Sequence, residues 1–247
     1  MSPRPYNLGR RQDQIAHSRR QILDAARALL GDTSGYAAFT VEAVARRADV
    51  ARATVYYQFH SKTGLLEAVC DDLADLGGLQ RLSAAFSAPE PADAIGHFVT
   101  AFGHFWAADR PAMRRLRALA ALDPDVHQVV AQRDQRRRDG LAVLTDRLRP
   151  DLQPSRRNRT INVLATLTSF ETFDSLAGPD RPLTAATTDI IVLAIAAIAA
   201  IAAIPVAPSR PDESNTRAPA ARSKNHSITP TRTAARNNRR NDPSRRS

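Results

Sequence analysis

Residues 40–66, TVEAVARRADVARATVYYQFHSKTGLL, leave little freedom in local structure. Thr40 is of the type favoured at helix N-termini, where its hydroxyl accepts a backbone N–H, and Glu42 puts a negative charge in the first turn, where the helix dipole favours it. Val41, Val44 and Ala45 recur at helical spacing and make one apolar stripe. The stripe breaks over Ala48-Asp49-Val50-Ala51 and resumes from Arg52 to Gln58, with Val55 facing inward and Arg52, Thr54, Tyr56 and Tyr57 left to face outward. Ser61 is placed to cap a third helix, with Lys62 at its start. Two short helices joined by a turn of about four residues are the helix-turn-helix geometry, in which the second helix enters the major groove of duplex DNA.

The outward residues suit that groove. Arg52 can donate to guanine edges or phosphate, and Thr54 can reach base or backbone. Tyr56 and Tyr57 combine flat apolar area with a hydroxyl that can bond phosphate oxygens. Arg52, Ala53, Thr54, Tyr56 and Tyr57 are therefore expected to read or approach bases, and Thr40, His60 and Lys62 to hold phosphates at the adjoining helix ends. The run resembles the DNA-binding signature of the tetracycline-repressor-type (TetR) family of bacterial transcription regulators. The matching residues are Phe39-Thr40, Val44-Ala45, Ala48, Val50, Thr54-Val55-Tyr56, Phe59, Ser61-Lys62 and Leu65-Leu66, within a resemblance that covers about Ser18 to Val69. Ala51 and Ala53 depart from it, standing where such proteins usually have Ser and Gly or Pro, and Gly64 stands where Glu or Asp is common. Gly64 should weaken its helix by roughly 1 kcal/mol relative to Ala.

The charge is unevenly spread. Of the net +10, residues 1–70 carry ten basic and six acidic side chains, residues 71–204 fifteen and sixteen, and residues 205–247 ten and three. The basic balance thus lies at the two ends, as expected of an N-terminal module facing a polyanion and a middle that faces something else. Thirty-three of the 35 basic residues are arginine, which points to a GC-rich genome. The one cysteine, Cys70, excludes an internal disulfide and sits where a buried thiol is expected, consistent with a cytoplasmic setting. The N-terminus lacks the apolar core of a secretion signal.

Along the chain, the pattern predicts an all-α protein. Residues 1–17 read as a flexible arm whose Arg4, Arg10 and Arg11 either reach the minor groove or are simply solvated. Residues 18–66 form the DNA-binding domain, opening with a helix over Ser18–Leu30 in which Ile22, Ala25, Ala26, Leu29 and Leu30 share a face. Residues 67–204 form a second helical domain. A long helix is predicted over Ser61–Ala85, with a kink at Gly77-Gly78, followed by helices over Ala92–Ala108, Pro111–Leu122, Pro124–Leu148, Ser155–Ala177 and Leu183–Ile204. The charge run Arg133–Asp139 reads as a solvated face. Ile190 to Ile204 has no polar residue, and at about 1.5 Å per residue it spans about 22 Å, short of the roughly 30 Å of a bilayer core. The expectation is a helix buried on all sides, and no membrane. Residues 205–247, rich in Pro, Ser, Thr, Asn and Arg, read as a disordered basic tail that either adds non-specific DNA affinity or is incidental.

No nucleotide-binding loop, zinc-protease motif or nucleophile elbow is present, so neither an enzyme nor a cofactor is expected. His97 and His104 are two turns apart, too far to chelate one metal unaided, and no metal site is expected. The second domain does hold material for an apolar pocket. Phe102, Phe105, Trp106, Met113, Phe170 and Phe173 could line it, with His104, Thr168 or Glu171 as polar fixers, unless the aromatics simply fill the core. The resemblance implies the rest: a homodimer through the last two long helices, binding a double-stranded operator and released by a small-molecule effector. It implies a transcriptional repressor, with an activator or a low-specificity DNA-binding protein aided by the basic tail as the alternative.

Overall fold

The computed structural model describes residues 8–32 and 39–203. Among them the fold is all-α, with eleven α-helices, two short 3-10 helices and no strand. The first three helices, α1 (Leu8–Gly31), α2 (Val41–Arg47) and α3 (Arg52–Phe59), enclose a small core. Ile22, Ala26 and Leu30 of α1 bury against Phe39, Val44, Val55 and Phe59. Thr40 caps α2, its hydroxyl accepting from the Ala43 amide at 3.1 Å. Asp49 takes a positive φ of 51° and turns the chain into α3.

Helix α1 begins at Leu8, earlier than the apolar repeat predicts. Residues 12–17 are exposed, so they carry no apolar periodicity from which a helix could be read. Gln58 at the end of α3 nonetheless donates to the Ile15 carbonyl at 3.4 Å, and the Arg19 guanidinium lies 4.5 Å over the Phe59 ring. Of the expected N-terminal arm, residues 1–7 lie outside the described residues, as does the tail from 204 onward.

Helix α4 (Lys62–Leu76) is capped by the Ser61 hydroxyl, which accepts from Gly64 N–H at 2.9 Å. Gly64 is needed there, because a Cβ at that position would run into the Phe59 carbonyl. The predicted long helix does not continue to Ala85. It ends at Gly77, whose missing side chain lets α4 lie against the Phe105 backbone, and Gly78 takes φ 64°, a left-handed conformation. A 3-10 turn (Leu79–Leu82) and α5 (Ser83–Ser87) follow.

The rest is α6 (Pro91–Ala107), α7 (Arg110–Ala120), α8 (Pro124–Leu148), α9 (Pro154–Leu167), α10 (Phe170–Ala177), a 3-10 turn (Leu183–Ala186) and α11 (Thr187–Ala203). Asp109 caps α7 and Asp123 caps α8, and each helix has proline in its first turn, where the absent N–H costs nothing. The single helix predicted over Ser155–Ala177 is two, because Thr168 leaves the helical conformation and Ser169 caps a new start, accepting from Thr172 N–H.

Helix α11 is not buried on all sides. Ile190, Ala194, Ile198 and Ile201 pack inward, against α6 and α9, while Val192 and Ile195 are 61% and 46% exposed. The 21 residues Leu183–Ala203 have the length and hydropathy of a membrane span, and one face is committed to the protein core.

Candidate DNA-binding surface and ligand cavity

Helix α3 turns Val55 and Phe59 into the core, leaves Arg52, Ala53 and Tyr57 exposed, and sets Tyr56 half-buried against the edge of that core. Tyr57 is 68% exposed, a position that core packing alone does not explain. Arg52 is held in place: its Nε lies 2.8 Å from a Glu42 carboxylate oxygen of α2, and its Nη2 donates to the Tyr56 hydroxyl at 3.1 Å. The hydrogen bond to Tyr56, with Glu42 adding to it, strengthens the guanidinium's hold on its proton. Thr54 is half-buried beside them, and His60 is exposed at the end of α3 with φ 65°.

Lys62 is engaged differently from Thr40 and His60. Its ammonium meets the Asp123 carboxylate and lies 3.6 Å from Asp125, so a phosphate there competes with two carboxylates. Burial alone would raise the Asp123 pKa, but the Lys62 hydrogen bond and the first amides of α8 override it and hold the carboxyl below its ordinary range. Helix α7 is also tied back, at its start and middle. Arg27 of α1 pairs with Asp72 at 2.9 Å and with Asp109 at 3.6 Å, and Arg115 donates to the Asp32 carbonyl at 2.7 Å. The DNA-binding domain is thus tied to the head of α8 through Lys62 and to the start and middle of α7 through Asp109 and Arg115.

The same helix walls a cavity of about 240 Å³. Met113, Leu116 and Arg117 of α7 line it, together with Cys70 and Ala74 of α4, Phe102, Phe105 and Trp106 of α6, and a row of α8 side chains. Of the residues expected at a pocket, Phe102, Phe105, Trp106 and Met113 are there. The remainder are elsewhere. His104 is exposed, because the α6 face that buries Phe102 and Trp106 turns it to solvent. Thr168 sits fully buried behind the wall, accepting from Arg137 Nη1 at 2.7 Å, while its carbonyl accepts from Trp106 Nε1 at 3.1 Å. Phe170 packs edge-on against Trp106, Glu171 pairs with Arg117 at 2.7 Å, and Phe173 is core packing.

The arginines of the wall, Arg117, Arg133, Arg136 and Arg137, were not among the expected site residues. The run Arg133–Asp139 is not one solvated face, since Arg137 is only 7% exposed. The signal lies outside the run: Val126, Val130, Arg133, Arg137, Leu141 and Leu144 follow one another at intervals of three or four, a single inward face. Burial pulls the Arg137 pKa down despite Asp134, which lies 3.3 Å away. Cys70 is buried at the same wall, and loss of hydration pushes its thiol up to about 11.

Residues 22–69 match the model of the bacterial regulatory proteins of the tetR family. Residues 22–69 thus carry a DNA-binding domain of the tetR-family type. Solved structures agree in fold. A TetR-like transcriptional regulator from Rhodococcus sp. RHA1 is 22% identical, with a TM-score of 0.54 over 74% of this chain and 96% of its own. The TetR-family regulator PfmR from Thermus thermophilus is 20% identical, with a TM-score of 0.52 over 71% and 97%. A Saccharomonospora viridis protein solved in complex with choline is 14% identical, with a TM-score of 0.52 over 71% and 94%. No curated protein matches the chain. The helix-turn-helix lies within the matched residues, and the second domain shares the all-helical fold of these structures.

Proposed function

We propose that the chain is a dimeric repressor that leaves its operator when a small molecule enters the cavity. The observation that carries this reading is the double role of α4 and α7. Cys70, Ala74, Met113, Leu116 and Arg117 line the cavity, while Lys62 at the start of α4 pairs with Asp123 at the head of α8, and Asp109 and Arg115, at the cap and middle of α7, bond Arg27 and Asp32 of the DNA-binding domain. A ligand that favours a different spacing of these two helices shifts the population away from the DNA-competent form. Two recognition helices must meet successive major grooves about 34 Å apart, so a small tilt in each subunit disengages the pair.

The outer face of α11 supports the dimer. Val192, Ala196, Ala199 and Ala200 recur along one exposed apolar side, with Leu193 and Ile195 beside them, and small residues let a second helix approach closely. The interface is assigned to this face together with the neighbouring long helix α9. Arg52, Ala53, Thr54, Tyr56 and Tyr57 are assigned to the bases, and Thr40, His60 and Lys62 to the backbone phosphates. DNA binding by the full chain to the region flanking its own gene tests the reading, with and without residues 208–247. Saturable binding to one near-palindromic site that survives the truncation supports an operator-reading repressor, whereas sequence-blind binding lost with the tail supports the low-specificity alternative.

A further inference from the structure

The cavity wall has an unusual charge composition. Four guanidinium groups, from Arg117, Arg133, Arg136 and Arg137, face one carboxylate, Asp134. Two of the four are committed elsewhere. Arg117 is taken by Asp134 at 2.8 Å and by both oxygens of Glu171, and Arg133 by Asp71 at 2.6 Å and the Glu67 carbonyl. Arg137 is different. Its side chain is 6% exposed, its Nη atoms bond Asp134, Thr168 and the Ala165 carbonyl, and its Nε has no acceptor among the described residues. A buried charged donor without an acceptor is costly, so a ligand that supplies one is favoured, although the Nε is closed off as it stands and the side chain must shift toward the cavity to meet it. Arg136, one position earlier, is exposed at the cavity and makes no ion pair among the described residues.

The remainder of the lining is apolar and aromatic. Phe102, Phe105 and Trp106 lie with ring centroids 4.5 to 6.0 Å apart, and Met113, Leu79 and Leu82 complete the surface. A wall of this kind takes a flat or branched hydrocarbon body. Asp134 gives a cation little to pair with, because Arg117 and Arg137 already hold it.

We infer that the cavity takes a small amphipathic organic anion, a carboxylate on an aromatic or branched aliphatic body, with the carboxylate received by Arg137 Nε–H and Arg136 and the body by Phe102, Phe105 and Trp106. The inference deepens the reading of the cavity as an effector site and rests on it. The volume of about 240 Å³ limits the body to roughly one ring or a short chain.

Trp106 is the only tryptophan in the chain and lines the cavity, so its fluorescence reports occupancy directly. The full chain is titrated with a carboxylate series from benzoate to 4-phenylbutyrate and octanoate, and with the matching primary amides and quaternary ammonium compounds. At least one carboxylate saturates the signal, and binds at least about tenfold tighter than its amide, because a charge-assisted hydrogen bond is made only by the anion. Its ammonium counterpart does not saturate. Arg136→Gln, at an exposed position that the fold does not need, weakens the carboxylate severalfold and leaves the amide unchanged. Arg137→Lys, which keeps the charge and loses the Nε–H, narrows the gap further. Amides or ammonium compounds that bind as tightly as the carboxylates, or no saturation anywhere in the series up to millimolar levels, overturn the inference. Operator binding measured with the same carboxylate separates the two readings: saturation of Trp106 without any change in DNA affinity overturns ligand release and leaves the anion site standing.

Discussion

The ammonium of Lys62, first residue of α4, lies against the carboxylate of Asp123, which caps α8. A side chain at the edge of the DNA-binding domain is thereby held by the helix that supplies Arg133, Arg136 and Arg137 to the cavity. Asp123→Asn keeps a good N-cap and removes the charge. The account predicts unchanged helical content, and a ligand-induced loss of DNA affinity reduced at least severalfold. An unchanged ligand effect would show that the contact is not part of the coupling.

Acid should loosen this contact and the ion pairs that hold α10 to α7. Burial alone would raise the carboxyl pKa values of Asp123, Glu171 and Asp174, but hydrogen bonds from Lys62, Arg117, and Arg114 with Arg110 hold all three below the ordinary range. Their folded values lie below the unfolded ones of about 4, so the stabilisation is fully present above about pH 5 and is lost as the pH falls through the folded values. Thermal unfolding followed from pH 7 to pH 3 should show a flat Tm that drops below about pH 4. A Tm that stays level to pH 3 would remove these ion pairs from the account.

Gly64 gives an unusually direct contrast between sequence and structure. Helix propensity predicts that Gly64→Ala stabilises the chain by roughly 1 kcal/mol. The structure predicts the reverse, destabilisation of at least about 1 kcal/mol, because the new Cβ meets the Phe59 carbonyl, a backbone atom that cannot swing away. Denaturant unfolding of the variant decides the sign.

What the sequence made legible, and what it hid, follows from where each signal comes from. The helix-turn-helix could be read because Thr40 and Ser61 cap their helices through their own side chains and because Val44, Val55 and Phe59 are inward at helical spacing. Phe102, Trp106 and Met113 could be read as pocket candidates because large apolar residues cluster on α6 and α7. Arg137 was hidden by its neighbours, since a buried guanidinium inside a charge run has the composition of a solvated face. The pair Gly77-Gly78 suggests a kink and not a break, because a glycine pair does not announce which residue takes a positive φ. The bare side of α11 could not be read either: an all-apolar sequence does not say which face the chain itself covers.

Cys70 should be a slow thiol. Burial at the cavity wall raises its pKa to about 11, so at pH 7.5 almost none is thiolate. The raised folded value favours the protonated thiol, and its contribution to stability fades as the pH rises above the unfolded value of about 8.5. Iodoacetamide labelling of the folded chain should be at least about a hundredfold slower than in denaturant. Equal rates would mean that this wall opens readily.

The bare face of α11 predicts the assembly state. Val192→Glu together with Ile195→Glu places two charges on the proposed interface and leaves the inward Ile190, Ala194 and Ile198 untouched. Sedimentation should show a dimer for the parent chain and a folded monomer for the variant, at least about tenfold weaker in operator binding. A variant that stays dimeric moves the interface elsewhere, and recovery of the parent chain with the membrane fraction would assign the face to lipid.

The most direct test of the central claim is the stoichiometry and sequence dependence of DNA binding. Fluorescence anisotropy of the parent chain on the DNA flanking its own gene, at two salt concentrations, is compared with Tyr57→Ala and Arg52→Ala. The account predicts two chains on one near-palindromic site, at least about tenfold weaker binding in each variant, and an unchanged dimer. Binding that is equally tight on unrelated DNA, falls steeply with salt and ignores both substitutions would contradict it.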